Sequence, residues 1–137
     1  MEEALMALWA GLPIFMVHSL TSLILLGVGV AVYMRFTKHD EVALIRDGNV
    51  AAALSLGGAI VGLALPIAFS LAAAVSLWDL IIWGIVAFVL QIVAFRLVDL
   101  FLKDLSRRIE AGEMGAAAIL VSFKLATAFI NAAAIAG

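Results

Sequence analysis

Four polar residues stand out within predominantly apolar stretches, and any chemistry this chain performs starts with them: Lys124, Gln91, Asn131 and His18. A lysine near the middle of an apolar span costs from about 3 kcal/mol to more than 10 kcal/mol to insert in lipid. It must therefore snorkel, pair, neutralise or line water. Its candidate neighbours are Gln91, central in the preceding apolar stretch, and Thr127, one turn further on. No carboxylate lies comparably deep, so the sequence predicts no buried ion pair. Such a lysine either reaches a polar cavity or interface without a transport role, or forms an anion site or selectivity element. His18 lies near Ser19, Thr21 and Ser22. Histidine can shuttle protons near neutral pH, but a hydrogen bond to a neighbouring helix is the expectation here. Asn131 is expected to bridge helices in the same way.

Other chemistry is poorly served. There is no cysteine, hence no disulfide and no thiolate ligand or nucleophile. The two histidines, His18 and His39, are far apart and make no metal site. His39, Asp40 and Glu41 have cation-binding types but read as a solvated loop with capping duties. No nucleophile elbow, His-Glu-x-x-His motif or pair of buried carboxylates is present. The sequence therefore predicts no enzyme, with no catalytic, cofactor-binding or metal residues. It also lacks the clustered basic face that nucleic acid requires.

The elements that must position these residues follow from composition. The 137 residues are 66% hydrophobic and 13% charged, with a mean hydropathy of +1.24. A soluble domain keeps roughly a quarter of its residues charged, so lipid must be the main solvent. A span needs about 20 apolar residues to cross ~30 Å of hydrocarbon. Four stretches qualify, at about Leu12–Met34, Asn49–Ala73, Leu77–Phe101 and Met114–Ala136. Helix is required, because backbone groups in lipid must be satisfied within the segment. The fold class is thus all-α, a four-helix integral membrane bundle in a single transmembrane domain over 1–137.

Charge sets the expected direction. Arg35, Lys38 and Arg46 lie between the first two spans, and Lys103, Arg107 and Arg108 between the last two, with Arg96 one or two turns inside the third. The link from Ala74 to Asp79 and the N-terminal tail carry no Lys or Arg. The positive-inside rule then places both long loops in the cytoplasm and both termini outside. The acidic Met1-Glu2-Glu3 start lacks the basic region of a signal peptide, so the first span is expected to be retained. Trp78 and Trp83 suit an interfacial belt.

Within the loops, Asp40 is placed to cap a short helix through Ile45, and Asp47-Gly48-Asn49 to turn the chain into the second span. Leu97, Phe101, Leu105 and Ile109 recur near helical spacing. They predict either a continuation of the third helix or a helix lying on the membrane surface. Ile45 to Ala53 reappears as Ile109 to Ala117 at a constant offset (112 − 48 = 64). This suggests two parallel helix-loop-helix units, about 12–73 and 77–136. Close helix packing, within or between subunits, is expected from Gly58 and Gly62 with Ser55, from the stripe Ala118, Ser122, Ala126, and from a second stripe, Ala128, Ala132, Ala136, because small side chains let helices approach in lipid. Pro66 is expected to kink the second span and free a carbonyl.

Several of these residues together resemble a known family. Thr37-Lys38-His39-Asp40-Glu41, Leu44-Ile45, Asn49-x-Ala51-Ala52 and Gly58-x-x-x-Gly62-x-x-x-Pro66 are similar to the first repeat of the YjfL-like bacterial inner-membrane proteins, a domain of unknown function. Trp83-Gly84, Gln91 and Asn131-Ala132-Ala133 resemble its second repeat. The resemblance runs from about Tyr33 to the C-terminus. It implies paired two-helix units in a bacterial inner membrane and no established activity. The family pattern carries apolar or small residues where this chain has Lys124, so the resemblance assigns that lysine no role.

The expectation is a structural or accessory membrane subunit that self-associates through its small-residue faces. The alternative is an oligomeric channel or small-solute permeation protein with Lys124, Gln91 and Asn131 lining a polar path. Expected partners are the lipid bilayer, further copies of the chain, and a larger membrane complex or a cytoplasmic peripheral protein. The predicted topology is checked by placing single cysteines at Asp40 and Ser106. Neither should react with an impermeant thiol reagent added outside intact cells, and clear labelling of both would reverse the orientation.

Overall fold

The chain must satisfy its backbone in hydrocarbon while burying few polar side chains, and long helices meet both demands. The computed structural model describes residues 1–37 and 40–137. They form four long helices, α1 (Glu2–Phe36), α3 (Val50–Ala73), α4 (Leu77–Phe101) and α6 (Met114–Ala136), and two short ones, α2 (Glu41–Arg46) and α5 (Leu105–Glu110). No strand is present among the described residues. All four long helices are long and apolar enough to cross a membrane. Three agree with the spans read from hydropathy to within a residue. The first does not: α1 starts at Glu2 rather than Leu12 and runs for 35 residues, about 52 Å at 1.5 Å per residue. Pro13 sits inside it, and the side chains from Glu2 to Val17 are exposed.

Both short helices have local causes. Asp40 accepts from the Ala43 amide at 3.0 Å and so caps α2. Asn49 does the same for α3, accepting from Ala52 at 2.9 Å. Its amide nitrogen reaches across to the Ile109 and Glu110 carbonyls of α5, both at 3.0 Å. One side chain thus ties the start of α3 to the end of α5. Gly48 and Gly112 end α2 and α5 with φ of +86° and +83°, a left-handed conformation that glycine reaches without a Cβ penalty. Each turn closes with the same pair of bonds: Gly48 to Ile45 and Asn49 to Leu44, Gly112 to Ile109 and Glu113 to Arg108. The third span, α4, does not continue into the loop. It ends at Phe101 with Leu102 as its C-cap, and α5 lies beneath the bundle with Leu105 and Ile109 buried.

The core is organised around α3. Half of its most apolar stretch is buried inside the structure, against 11% to 22% for the other three long helices. At the loop end Ala51, Ala52, Val98, Leu105, Ile109, Ala116, Ala117 and Leu120 form one cluster. Deeper in, Tyr33, Ala59, Leu63 and Phe95 form a second. The closest approach is between α3 and α6. A Cβ added at Gly58 would lie 2.6 Å from a Val121 methyl, and one at Gly62 would lie 2.9 Å from the Phe95 ring. Pro66 is buried, and α3 remains helical through it to Ala73. Gly58, Gly62 and Pro66 therefore face the interior.

Of the two small-residue stripes on α6, Ala128 and Ala132 face the bundle, whereas Ala118, Ser122 and Ala126 face outward. Ser122 and Ala126 are exposed, with the Ser122 hydroxyl donating to Ala118 of its own helix at 2.8 Å. The face of α6 turned to the bundle carries Ala117, Leu120, Lys124, Ala128 and Ala132. Small residues occur on several faces of this helix, and the tight contact of Val121 with Gly58 on α3 fixes which of them turn inward.

Gly58→Ala should destabilise the bundle by about 1–3 kcal/mol, the usual cost of overpacking against a stiff β-branched neighbour. Gly57 has open space around its Cα, so Gly57→Ala should be neutral or slightly stabilising. Denaturant unfolding in bicelles compares the pair, and equal stabilities would show that the α3–α6 approach is not tight.

Candidate functional site: a buried lysine–tyrosine–glutamate chain

Helix direction determines how Lys124 is met. Side chains tilt toward the N-terminus of their helix. On α6, which leaves the basic loops, Lys124 therefore leans back toward the loop end. On α1, which runs toward that end, Tyr33 leans inward. They converge: Lys124 Nζ donates to Tyr33 Oη at 2.7 Å. The ammonium also lies 4.7 Å from the Tyr33 ring centroid and 5.4 Å from that of Phe95, within range of cation–π attraction. Tyr33 and Phe95 pack edge to face, 5.8 Å between centroids. Lys124 is only 1% exposed.

The tyrosine passes the interaction on. Tyr33 Oη donates to Glu41 Oε1 at 3.2 Å, and Ser55 Oγ approaches the same oxygen at 3.5 Å. Glu41 is 3% exposed. The donors run in one sense, from ammonium to phenol to carboxylate, so the basic and acidic groups are joined through one hydroxyl. This corrects two expectations. A carboxylate does lie within reach of Lys124, and Glu41 is not a solvated loop residue. Its helix, α2, folds back against α3 and carries it into the bundle. Asp40 beside it stays exposed as a cap, while Lys38 and His39 lie outside the described residues.

On the other side of Lys124 a second set of contacts continues. Gln91, fully buried on α4, donates to the Lys124 carbonyl at 3.2 Å and to Thr127 Oγ1 at 3.3 Å. Asn131 Nδ2 donates to Gln91 Oε1 at 3.3 Å and to the Ala87 carbonyl at 3.1 Å. The structure thus brings together Lys124, Gln91 and Asn131, as well as Thr127, Tyr33, Glu41 and Ser55. His18 stays apart. Its Nδ1 pairs with the Ile14 carbonyl of α1 itself at 2.9 Å rather than with a neighbouring helix. Ser22, one turn on, is buried, and its hydroxyl finds no hydrogen-bond partner among the described residues.

A cleft of about 570 Å³ opens at the loop end, with Lys124, Tyr33 and Ser55 in its lining and Arg96, Asp99 and Lys103 nearer the loop. Arg96 is held by a 3.0 Å bond to the Phe36 carbonyl and lies 5.9 Å over the Phe36 ring. Among the described residues no group of three or more His, Cys, Asp or Glu side chains is placed to hold a metal ion.

These features define a multi-pass membrane bundle with a charged hydrogen-bond chain in its interior. The chain belongs to the family described as Domain of Unknown Function (DUF350), whose profile matches residues 7–135. It is similar to the UPF0719 inner membrane protein YjfL of Escherichia coli K12, with 33% identity over 102 residues, which cover 74% of this chain and 77% of that one. The YjfL protein of Escherichia coli O157:H7 is similar to the same degree. No solved structure matches the chain. With an inner-membrane relative and four apolar helices, this is a multi-pass inner-membrane protein.

Removing one partner of a buried charge pair typically costs about 3–5 kcal/mol. Glu41→Gln and Lys124→Met should each destabilise the bundle, whereas the double variant should recover much of the loss. A double-mutant cycle in bicelles measures this coupling, and strictly additive losses would show that Tyr33 does not connect the two charges.

Proposed function

We propose that the chain is a small-solute permeation protein of the inner membrane, with Lys124 as its selectivity element. One observation carries this reading: a lysine held in the middle of a span, in a cluster of polar side chains that continues through Gln91 to Asn131. A bundle needed only for support gains nothing from a charge that is costly to insert. The polar side chains mark a route from the loop-end cleft past Lys124 toward the opposite end of α6. A fixed cation on that route favours anions and disfavours free cations.

The chain is read here as two parallel units, 12–73 and 77–136, with the shared Gly48 and Gly112 turns in support. Both basic loops are placed in the cytoplasm and both termini outside, on the charge asymmetry of the sequence. The cleft then faces the cell interior.

A second reading, a structural or accessory subunit that self-associates, is favoured by the outward position of Ala118, Ser122 and Ala126. A small-residue stripe on the lipid side is a surface on which another helix packs closely. Both readings are examined on one preparation, its copy number fixed by native mass before reconstitution into liposomes. Permeation predicts chloride flux well above potassium flux, with the preference falling about ten-fold or more in Lys124→Met. A bilayer that stays tight to both ions at every voltage, with a defined oligomer in hand, would leave the subunit reading and remove the permeation one.

A further inference from the structure

The cleft at the loop end combines two chemistries. Part of its wall is apolar and reaches the outside of the bundle, since Val93, Leu97 and Leu100 of α4 line it and are each at least half exposed. Its charged lining is three cations, the exposed Arg96 and Lys103 and the buried Lys124, against one carboxylate, Asp99. The Tyr33 and Ser55 hydroxyls are beside them. Of these groups Lys124 is the most enclosed. Its ammonium has three N–H donors, and Tyr33 accepts one of them. Glu41 offsets part of its charge through Tyr33. Arg96 is oriented by the Phe36 carbonyl through one nitrogen of its planar fork, a geometry that suits a phosphate oxyanion.

We propose that this cleft binds a phosphate oxyanion of net negative charge, with Arg96 and Lys124 as its principal donors and Lys103 at the rim. The apolar wall contributed by α4 makes a phospholipid the natural source, its acyl chain lying along Val93, Leu97 and Leu100. A soluble phosphate satisfies the same donors without that wall. The inference goes beyond permeation, because binding is read without any flux.

The test uses the full chain in neutral detergent, with two probes of equal acyl length, phosphatidylglycerol and phosphatidylcholine, and inorganic phosphate as a third. Native mass spectrometry reports retained lipid and thermal unfolding reports protection. Phosphatidylglycerol should be held about ten-fold more tightly than phosphatidylcholine, and its hold should weaken as salt rises. Arg96→Gln and Lys103→Gln should each remove several-fold of that preference. Arg107→Gln should not, since Arg107 is highly exposed on α5 and outside the cleft. Lys124→Met should abolish it, and the two surface variants keep the test decisive if Lys124→Met fails to fold. Protection by inorganic phosphate without a lipid preference, lost in the same variants, would support the site and identify a soluble source. Equal retention of both lipids with no effect of phosphate would overturn the proposal. So would a phosphatidylglycerol preference that survives Arg96→Gln and Lys103→Gln, which marks general surface attraction instead.

Discussion

Apolar side chains gain little by leaving lipid for one another, so the helices of this protein are held by how closely their backbones can approach. The place where that approach is tightest, α3 against α6 at Gly58 and Val121, determines much of the rest. It fixes the rotation of α6, which turns Lys124 inward and leaves Ser122 and Ala126 outside. It places Ser55, one turn before Gly58, on the interior side, where its hydroxyl meets Glu41. It also brings the Lys124 carbonyl near the Gln91 amide. The polar cluster therefore depends on a packing contact made by a residue with no side chain.

The charged groups impose the second constraint. An ammonium and a carboxylate inside a bundle are costly to desolvate, and their attraction repays that cost only when hydrogen bonds hold the geometry. Here Tyr33 supplies both: its hydroxyl accepts from one and donates to the other, and its ring offers the ammonium a π face. Asn49 plays a comparable part at the loop end, where one amide caps α3 and binds the last carbonyls of α5. Without that tie the buried face of α5, Leu105 and Ile109, would have less to keep it under the bundle.

Much of the architecture was legible in the sequence because lipid is an unforgiving solvent. Runs of about 20 apolar residues, the Asp47-Gly48-Asn49 turn and the Asp40 cap each have one reasonable reading, and α3, α4 and α6 follow it. The start of α1 was not legible, since hydropathy reports which residues prefer lipid and not how far a helix extends beyond it. The outward turn of Ser122 and Ala126 was hidden for another reason: on a helix with alanine on several sides, small-residue spacing does not select a face. Lys124, Gln91 and Asn131 were visible as polar intruders, but Glu41 was masked by its charged neighbours Lys38, His39 and Asp40. Its burial comes from the fold-back of α2, a tertiary event. The available signal was the lysine itself, because a buried cation calls for a counter-charge and Glu41 begins the short helix that follows a span.

Helix α1 is the least enclosed of the four, exposed from Glu2 to Val17 and resting on α3 and α4 along its later turns. Yet it supplies a hydroxyl that joins Lys124 to Glu41. Any swing of α1 away from its neighbours would carry Tyr33 with it and uncouple the two charges. Conversely, neutralising either charge would loosen the latch that keeps α1 in place. The charges of the interior are thus one of the ties on this helix, beside its packing at Gly29 and Leu25.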